Sequence, residues 1–333
     1  MISNWYRRLI FLAALLTFGV VVLGAYVRLS DAGLGCPDWP GCYGKLSPAH
    51  AHQEIAAALA DNPHGPVSAP KAWKEMIHRY FASTLGLLIV SIAALALARR
   101  NAVRQSPLLP SMLVGIVVLQ GLLGMWTVTL LLKPAIVTAH LLGGMSILAL
   151  LTWLALRQLF PSPRPLAPRL RPWALLTLLV LFAQIALGGW VSTNYAALAC
   201  ADFPQCHRAW VPDMQFHDAF HIVRELGMTP DGALLSLENL TAIHWVHRVG
   251  AAVTTLVVGG LGLLLWRHDG LRPFGVLVLA ALAVQLTLGI ANIMLQLPLP
   301  VAVAHNAGAA LLLVSLVVVN YRLGARGDTW PLR

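Results

Sequence analysis

"GAYVRLSDAGLGCPDWPGC" at positions 24–42 and "GGWVSTNYAALACADFPQC" at 188–206 align without a gap. Gly24 stands opposite Gly188, Val27 opposite Val191, Cys36 opposite Cys200, Asp38 opposite Asp202, Pro40 opposite Pro204 and Cys42 opposite Cys206. The correspondence continues outward. "EMIHR" at 75–79 matches "HWVHR" at 244–248, "QGLLG" at 120–124 matches "QLTLG" at 285–289, and "AHLLGG" at 139–144 matches "AHNAGA" at 304–309. A chain whose second half repeats its first in this way consists of two copies of one unit. The matched stretches border long apolar runs, so the unit is a membrane unit.

Those runs lie at 9–27, 81–98, 108–132, 134–156, 173–192, 249–266, 274–297 and 301–319. Most approach the ~20 residues that a helix needs to cross a bilayer. The break between the third and fourth is Lys133-Pro134, a tight-turn signal. The 333 residues are 58% hydrophobic and 11% charged, where a soluble domain carries about 25% charged. The predicted fold is therefore an all-α integral membrane protein, with eight transmembrane helices as two four-helix-bundle repeats. Residues 1–160 form the first half, with a loop at about 28–76. Residues 173–333 form the second, with a loop at about 193–241. The basic, Pro-rich segment 161–172 joins them. Four spans return the chain to its starting side, which makes the repeat a parallel one.

The net charge of +10 suggests nucleic acid until its distribution is read. Arg7, Arg8, Arg99, Arg100, Arg104, Arg157, Arg164, Arg169, Arg171, Arg267, Arg272, Arg322, Arg326 and Arg333 all fall on one side of an eight-span arrangement, accompanied only by Asp269 and Asp328. This is the positive-inside pattern. It places both termini in the cytoplasm and the two long loops outside, and it leaves no reason to expect a nucleic-acid partner. The first run lacks a small-x-small cleavage site and is read as a span rather than a signal peptide.

The four cysteines form two C-x5-C pairs, one in each outward loop. The exported side permits disulfides, so Cys36–Cys42 and Cys200–Cys206 are expected to be bridged; a redox or metal role is the alternative. His50, His52, His64, His207, His217 and His221 lie in the outward loops and His268 on the cytoplasmic side, where solvated surface accounts for them. The other five lie near the outward ends of even-numbered spans: His78, His140, His244, His247 and His305. Ionisable groups in spans are costly, at roughly 2.5–3.5 kcal/mol each, and tend to mark function.

Even-numbered helices enter the membrane from the same face, so their histidines can meet across a four-helix bundle. Two imidazoles on facing helices can sandwich a planar macrocycle, as in bis-histidine haem sites. His78 with His140 makes one site, and His247 with His305 the other. Gly143, Gly144, Gly250 and Gly308 either admit a porphyrin or let helices pack closely. Arg79 and Arg248 either pair with haem propionates or extend to the interface.

On "RLSDAGLGCPDWPGC" (28–42), "EMIHR" (75–79), "AH" (139–140), "HWVHR" (244–248) and "AH" (304–305), the chain resembles the haem A synthase (CtaA/Cox15) family over essentially all eight spans. The resemblance implies oxidation of the C8 methyl of haem O to a formyl group, giving haem A for terminal oxidases. It implies that His78 and His140 flank the substrate haem, that Glu75 is the catalytic carboxylate, and that His247 and His305 hold a resident haem b. It further implies a bacterial cytoplasmic (inner) membrane location with haem sites near the outer face, and haem O synthase and terminal oxidase subunits as partners beside the lipid. The two cysteine pairs point to the disulfide-bearing branch.

An iron held by two histidines has no open position for dioxygen. The site as written suits electron removal, with water supplying oxygen and Glu75 taking protons; loss of one axial ligand during turnover would reopen a dioxygen route. The rival reading is a dihaem b-type electron-transfer cytochrome or a haem carrier. The difference between Glu75 and His244 separates them, since a symmetric conduit needs no carboxylate at one haem. A haem O-forming prenyltransferase is disfavoured, because the spans carry no Asp-rich diphosphate–magnesium motif.

Overall fold

The computed structural model describes residues 2–103, 106–160 and 167–324. Arg104, Arg164, Arg326, Asp328, Arg333 and positions 161–166 of the joining segment lie outside the described residues. Among the described residues ten α-helices are formed: α1 (Ile2–Leu29), α2 (His52–Asp61), α3 (Ala69–Ala98), α4 (Arg100–Val103), α5 (Leu108–Thr129), α6 (Pro134–Leu159), α7 (Arg171–Thr193), α8 (Leu237–Trp266), α9 (Arg272–Met294) and α10 (Leu299–Gly324). All but α2 and α4 are long and apolar enough to cross a membrane, which gives the expected eight spans. Leu87, Val118, Leu179, Leu256, Val284 and Leu311 stand exposed on them, as side chains meeting lipid do.

Local chemistry sets the ends. Proline occupies the first turn of α3, α6, α7 and α9, where its missing N–H has no intrahelical partner to lose. At the start of α8, Ser236 and Asn239 form a reciprocal capping box. The turn expected at Lys133-Pro134 is present, and its counterpart joins α9 to α10. Leu131 and Leu132 in the one, and Gln296 and Leu297 in the other, have positive φ. Both turns close on an amide donating backwards, Leu132 N to Thr127 O at 2.8 Å and Leu297 N to Asn292 O at 2.7 Å.

Two starts differ from the apolar runs. The third helix begins at Ala69 rather than near 81, and α8 begins at Leu237 rather than near 249. The loops are correspondingly shorter than 28–76 and 193–241. The reason is shelter. Ala72, Glu75 and Met76 are buried against the cysteine loop together with Cys36, Cys42 and Ile55. Polar first turns are stable there because the loop, and not lipid, surrounds them.

Helix contacts fall into two closed circuits. In one, α1 touches α3, α3 touches α5, α5 touches α6 and α6 returns to α1; in the other, α7, α8, α9 and α10 follow the same order. So α3 faces α6 across one ring, and α8 faces α10 across the other. Tyr6, Ile10, Leu85, Ile89, Ile92, Leu113, Ile147 and Leu151 fill the first ring at the end away from the loops. Leu181, Val258, Leu261, Leu282, Leu312 and Leu316 do the same in the second. The remaining, loop-side end of each ring holds the histidines.

The circuits meet through α1–α10, α6–α7 and α6–α10. Trp153 of α6 sets its ring edge-on to Tyr321 of α10, with centroids 5.1 Å apart. At the loop end, Arg28 donates to Ser192 O at 2.8 Å and Tyr195 Oη at 3.0 Å, and Lys133 pairs with Glu225 at 2.8 Å.

Candidate functional site

The four site histidines occupy four equivalent quadrants. Each lies on an even-numbered span, against a glycine of the preceding span. A Cβ added at Gly24 would come 3.0 Å from His78 Cε1; the equivalent distances are 3.3 Å from Gly124 to His140, 3.2 Å from Gly188 to His247 and 3.1 Å from Gly289 to His305. These approaches are tighter than ordinary carbon contacts, so glycine is what lets each ring come this close to its neighbour. Because α3 faces α6 and α8 faces α10, the rings form two opposed pairs, with the members of each within electrostatic reach. Among the described residues no three His, Cys, Asp or Glu side chains converge on one point. The histidines form pairs, which is the donor set for a planar iron macrocycle.

Other atoms suit the same occupant. The Nδ1 atoms of His78, His140 and His305 are buried without hydrogen-bond partners. A neutral imidazole binds iron through one nitrogen and keeps a proton on the other, which then seeks an acceptor. Three quadrants supply an amide close by, and its acceptor oxygen, Oε1 of Gln120, Gln184 or Gln285, is likewise buried without a partner. Gln120 Nε2 donates to His140 O at 2.7 Å, and Gln184 Nε2 lies 3.0 Å from His247 O and 3.1 Å from its Nδ1. Gln285 Nε2 is 3.5 Å from His305 Nε2. The reading from sequence passed over these glutamines. Their signal is the spacing Gln-x-x-x-Gly, which recurs at 120–124, 184–188 and 285–289.

Above each pair, a disulfide-closed loop is held by the same device. Cys36–Cys42 and Cys200–Cys206 are both bridged, each with Cα atoms 4.9 Å apart. In the first loop the Asp38 carboxylate accepts from Tyr43 N and Gly44 N; in the second, Asp202 accepts from His207 N and Arg208 N. Those two amides hold the Asp202 carboxyl below its ordinary range, that of Arg208 contributing most.

The arginine after each first histidine binds the loop. Arg79 Nη1 donates to the carbonyls of Asp38 at 2.8 Å, Gly41 at 2.6 Å and Pro40 at 3.3 Å. Arg248 donates to Gln205 O at 2.8 Å and Cys200 O at 2.7 Å. The structure therefore directs both guanidinium groups to backbone carbonyls.

Glu75 and His244 occupy one and the same node of this device. Glu75 Oε1 pairs with Arg79 Nη2 at 2.5 Å, and its Oε2 accepts from Cys36 N at 2.9 Å. His244 Nδ1 faces Cys200 N at 3.3 Å, and its Nε2 faces Arg248 Nε at 3.3 Å. A carboxylate accepts both donors at once. A neutral imidazole has one acceptor nitrogen and accepts one of them.

The family profile described as "Cytochrome oxidase assembly protein" matches residues 7–317. The chain belongs to the COX15-CtaA family. Members named "Heme A synthase" are similar along nearly their whole length. The protein of Shewanella oneidensis is 42% identical over 326 residues, covering 96% of this chain and 96% of its own. That of Granulibacter bethesdensis is 28% identical, covering 99% of this chain and 89% of its own, and that of Caulobacter sp. strain K31 is 26% identical over 94% of each. This COX15-CtaA member is a multi-pass membrane protein whose cysteine loops, histidine pairs and glutamines all lie within the matched span.

Proposed function

We propose that this chain is a haem A synthase, an oxidoreductase that converts the C8 methyl of haem O to a formyl group and so supplies haem A for cytochrome oxidase assembly. The observation that carries the reading is the opposed histidine pair at the loop end of each helix ring, each member backed by a glycine of the preceding span. The relatives' shared name supports it. In this reading His78 and His140 bind the substrate haem, His247 and His305 bind a resident haem b, and each four-helix half is one haem-binding unit. A bound haem iron supplies one-electron redox chemistry.

The chain's own residues do the rest. The two disulfide loops, drawn down by Arg79 and Arg248, cover the sites and keep water out. Glu75 is buried and stands one helical turn before His78. A carboxylate offers about four acceptor positions, so its bonds to Arg79 and Cys36 leave capacity to take a proton from a ring methyl as it is oxidised. His244, at the equivalent node, is already confined between two donors and serves to hold its loop. Arg79 and Arg248 lie beside their sites but bond the loops, so propionate contact is assigned to them only where a haem draws them away. The distribution of arginines supports cytoplasmic termini and outward-facing sites in a bacterial inner membrane, where lipid, haem O synthase and terminal oxidase subunits are the partners.

The test is Glu75→Gln in cells supplied with haem O. Haem binding, fold and both disulfides should persist while haem A disappears from extracted pigment. Wild-type haem A content would remove Glu75 from the chemistry.

A further inference from the structure

The four quadrants are not alike. Three carry the amide described above, with a glycine three residues after the histidine to receive it. A Cβ at Gly143, Gly250 or Gly308 would run into Gln120, Gln184 or Gln285 Oε1 respectively. In the quadrant of His78 both halves of that arrangement are missing. The position equivalent to the glutamine, four before Gly24, is Val20, and the position three after His78 is Phe81. Val20 packs into the apolar core of its ring, and Phe81 is 47% exposed. The Nδ1 of His78, like those of His140 and His305, is buried without a partner, and neither Val20 nor Phe81 offers a polar side chain to its carbonyl. Three histidines thus each have a neighbouring amide at the carbonyl, at the ring or at both, and one has neither.

We propose that His78 is the labile member of the four, the residue whose release opens a coordination position in the first-half site, while Gln120, Gln184 and Gln285 are positioning residues that keep the other three in place. The inference rests on the proposal that these histidines bind haem. A ring held only by its own helix and by its contact with Gly24 turns away at the cost of packing alone. Where the amide meets the ring, as at His247, turning must break that contact; where it meets the carbonyl, as at His140, it ties down the stretch of helix that carries the ring. One hydrogen bond supports a difference of roughly two- to tenfold in the opening equilibrium. The arrangement also resolves a conflict in the chemistry, since two equally firm histidines leave a bound iron no position for an incoming ligand.

Carbon monoxide binds reduced haem iron only where an axial position opens, so it reports release without turnover. Haem-loaded protein, reduced with dithionite, is mixed with carbon monoxide and followed by its Soret difference spectrum. Wild-type protein should react at the first-half site and leave the second-half haem low-spin. Val20→Gln with Phe81→Gly should install the grip and slow the reaction about two- to tenfold. Gln184→Val should remove a grip and make the second-half haem reactive.

Faster reaction at the second half in wild type, an unchanged rate in the folded double variant, or an inert second half in Gln184→Val each overturns the proposal. If one variant loses low-spin haem altogether, the other decides. His78→Ala and His140→Ala are run alongside. Full retention of first-half haem in both overturns the ligand assignment itself, a failure distinct from unaltered carbon monoxide kinetics in protein whose haem depends on them.

Discussion

Replacing Arg248 with alanine should free the second cysteine loop while leaving the helix rings intact. The guanidinium donates to Gln205 O at 2.8 Å and to Cys200 O at 2.7 Å, so one side chain ties both ends of the disulfide ring to α8. A hydrogen bond from a charged donor contributes about 1.5–3 kcal/mol, which gives the pair a ceiling of ~3–6 kcal/mol. The loop is partly exposed and water replaces some of this, so a net loss of ~2–3 kcal/mol is expected. At about 1.4 kcal/mol per factor of ten, that raises the loop's opening equilibrium roughly 30- to 150-fold. Hydrogen–deuterium exchange measures it directly, because Cys206 N and Ala209 N each donate to the other's carbonyl at 3.0 Å within the loop. Those amides should exchange faster by that factor, while amides in the middle of α8 keep their protection. Arg248→Lys, which offers a point charge in place of a fork, should fall between. Exchange within twofold of wild type in Arg248→Ala would refute the anchoring role.

Four further outcomes are expected. His247→Ala and His305→Ala should each abolish the low-spin b-type absorbance of purified protein, and a full spectrum in both would remove them as ligands. Thiol labelling of unfolded, unreduced protein should find almost no reactive cysteine, whereas four thiols would contradict the bridges. Gly289→Ala places a methyl 3.1 Å from His305 Cε1, so it should displace the ring and weaken second-half haem retention with little change in melting temperature; unaltered retention would show that the ring moves freely. Asp202 has a folded pKa below its unfolded value, so its contribution is present above the unfolded pKa of about 3.9 and is lost as pH falls through the folded one. Loop protection, taken relative to the intrinsic exchange rate at each pH, should therefore be flat from pH 7 to about 5 and fall only in stronger acid, and in Asp202→Asn that acid loss should vanish.

The spans, their number and the paired histidines were readable because membrane helices and buried ionisable groups have strong signatures in residue type. The helix starts were not. The reading places the start of α3 near its apolar run, yet Ala69–Tyr80 is already helical because a folded loop covers it, and a shelter made by tertiary contact leaves no local pattern. The targets of Arg79 and Arg248 were hidden for a different reason. They are backbone carbonyls, and every residue has one. The glutamines were legible but lay across the wrong comparison. Laying one half on the other pairs Gln120 with Gln285 and sets Gln184 against Val20. Only a comparison of α1, α5, α7 and α9 shows three alike and one exception.

The contacts between the rings obey a rule of their own. Exchanging the halves turns the α1–α10 contact into α7–α6 and leaves α6–α10 unchanged, so the seam is self-complementary, like that of a two-fold dimer. Two separate copies of a four-helix unit would satisfy the same geometry. Such a homodimer would carry identical residues at both nodes, either two carboxylates or two imidazoles, and at both Val20-type positions. Fusion into a single polypeptide lifts that constraint. The joining segment thus does more than span a distance: it lets the two copies carry different residues at equivalent positions.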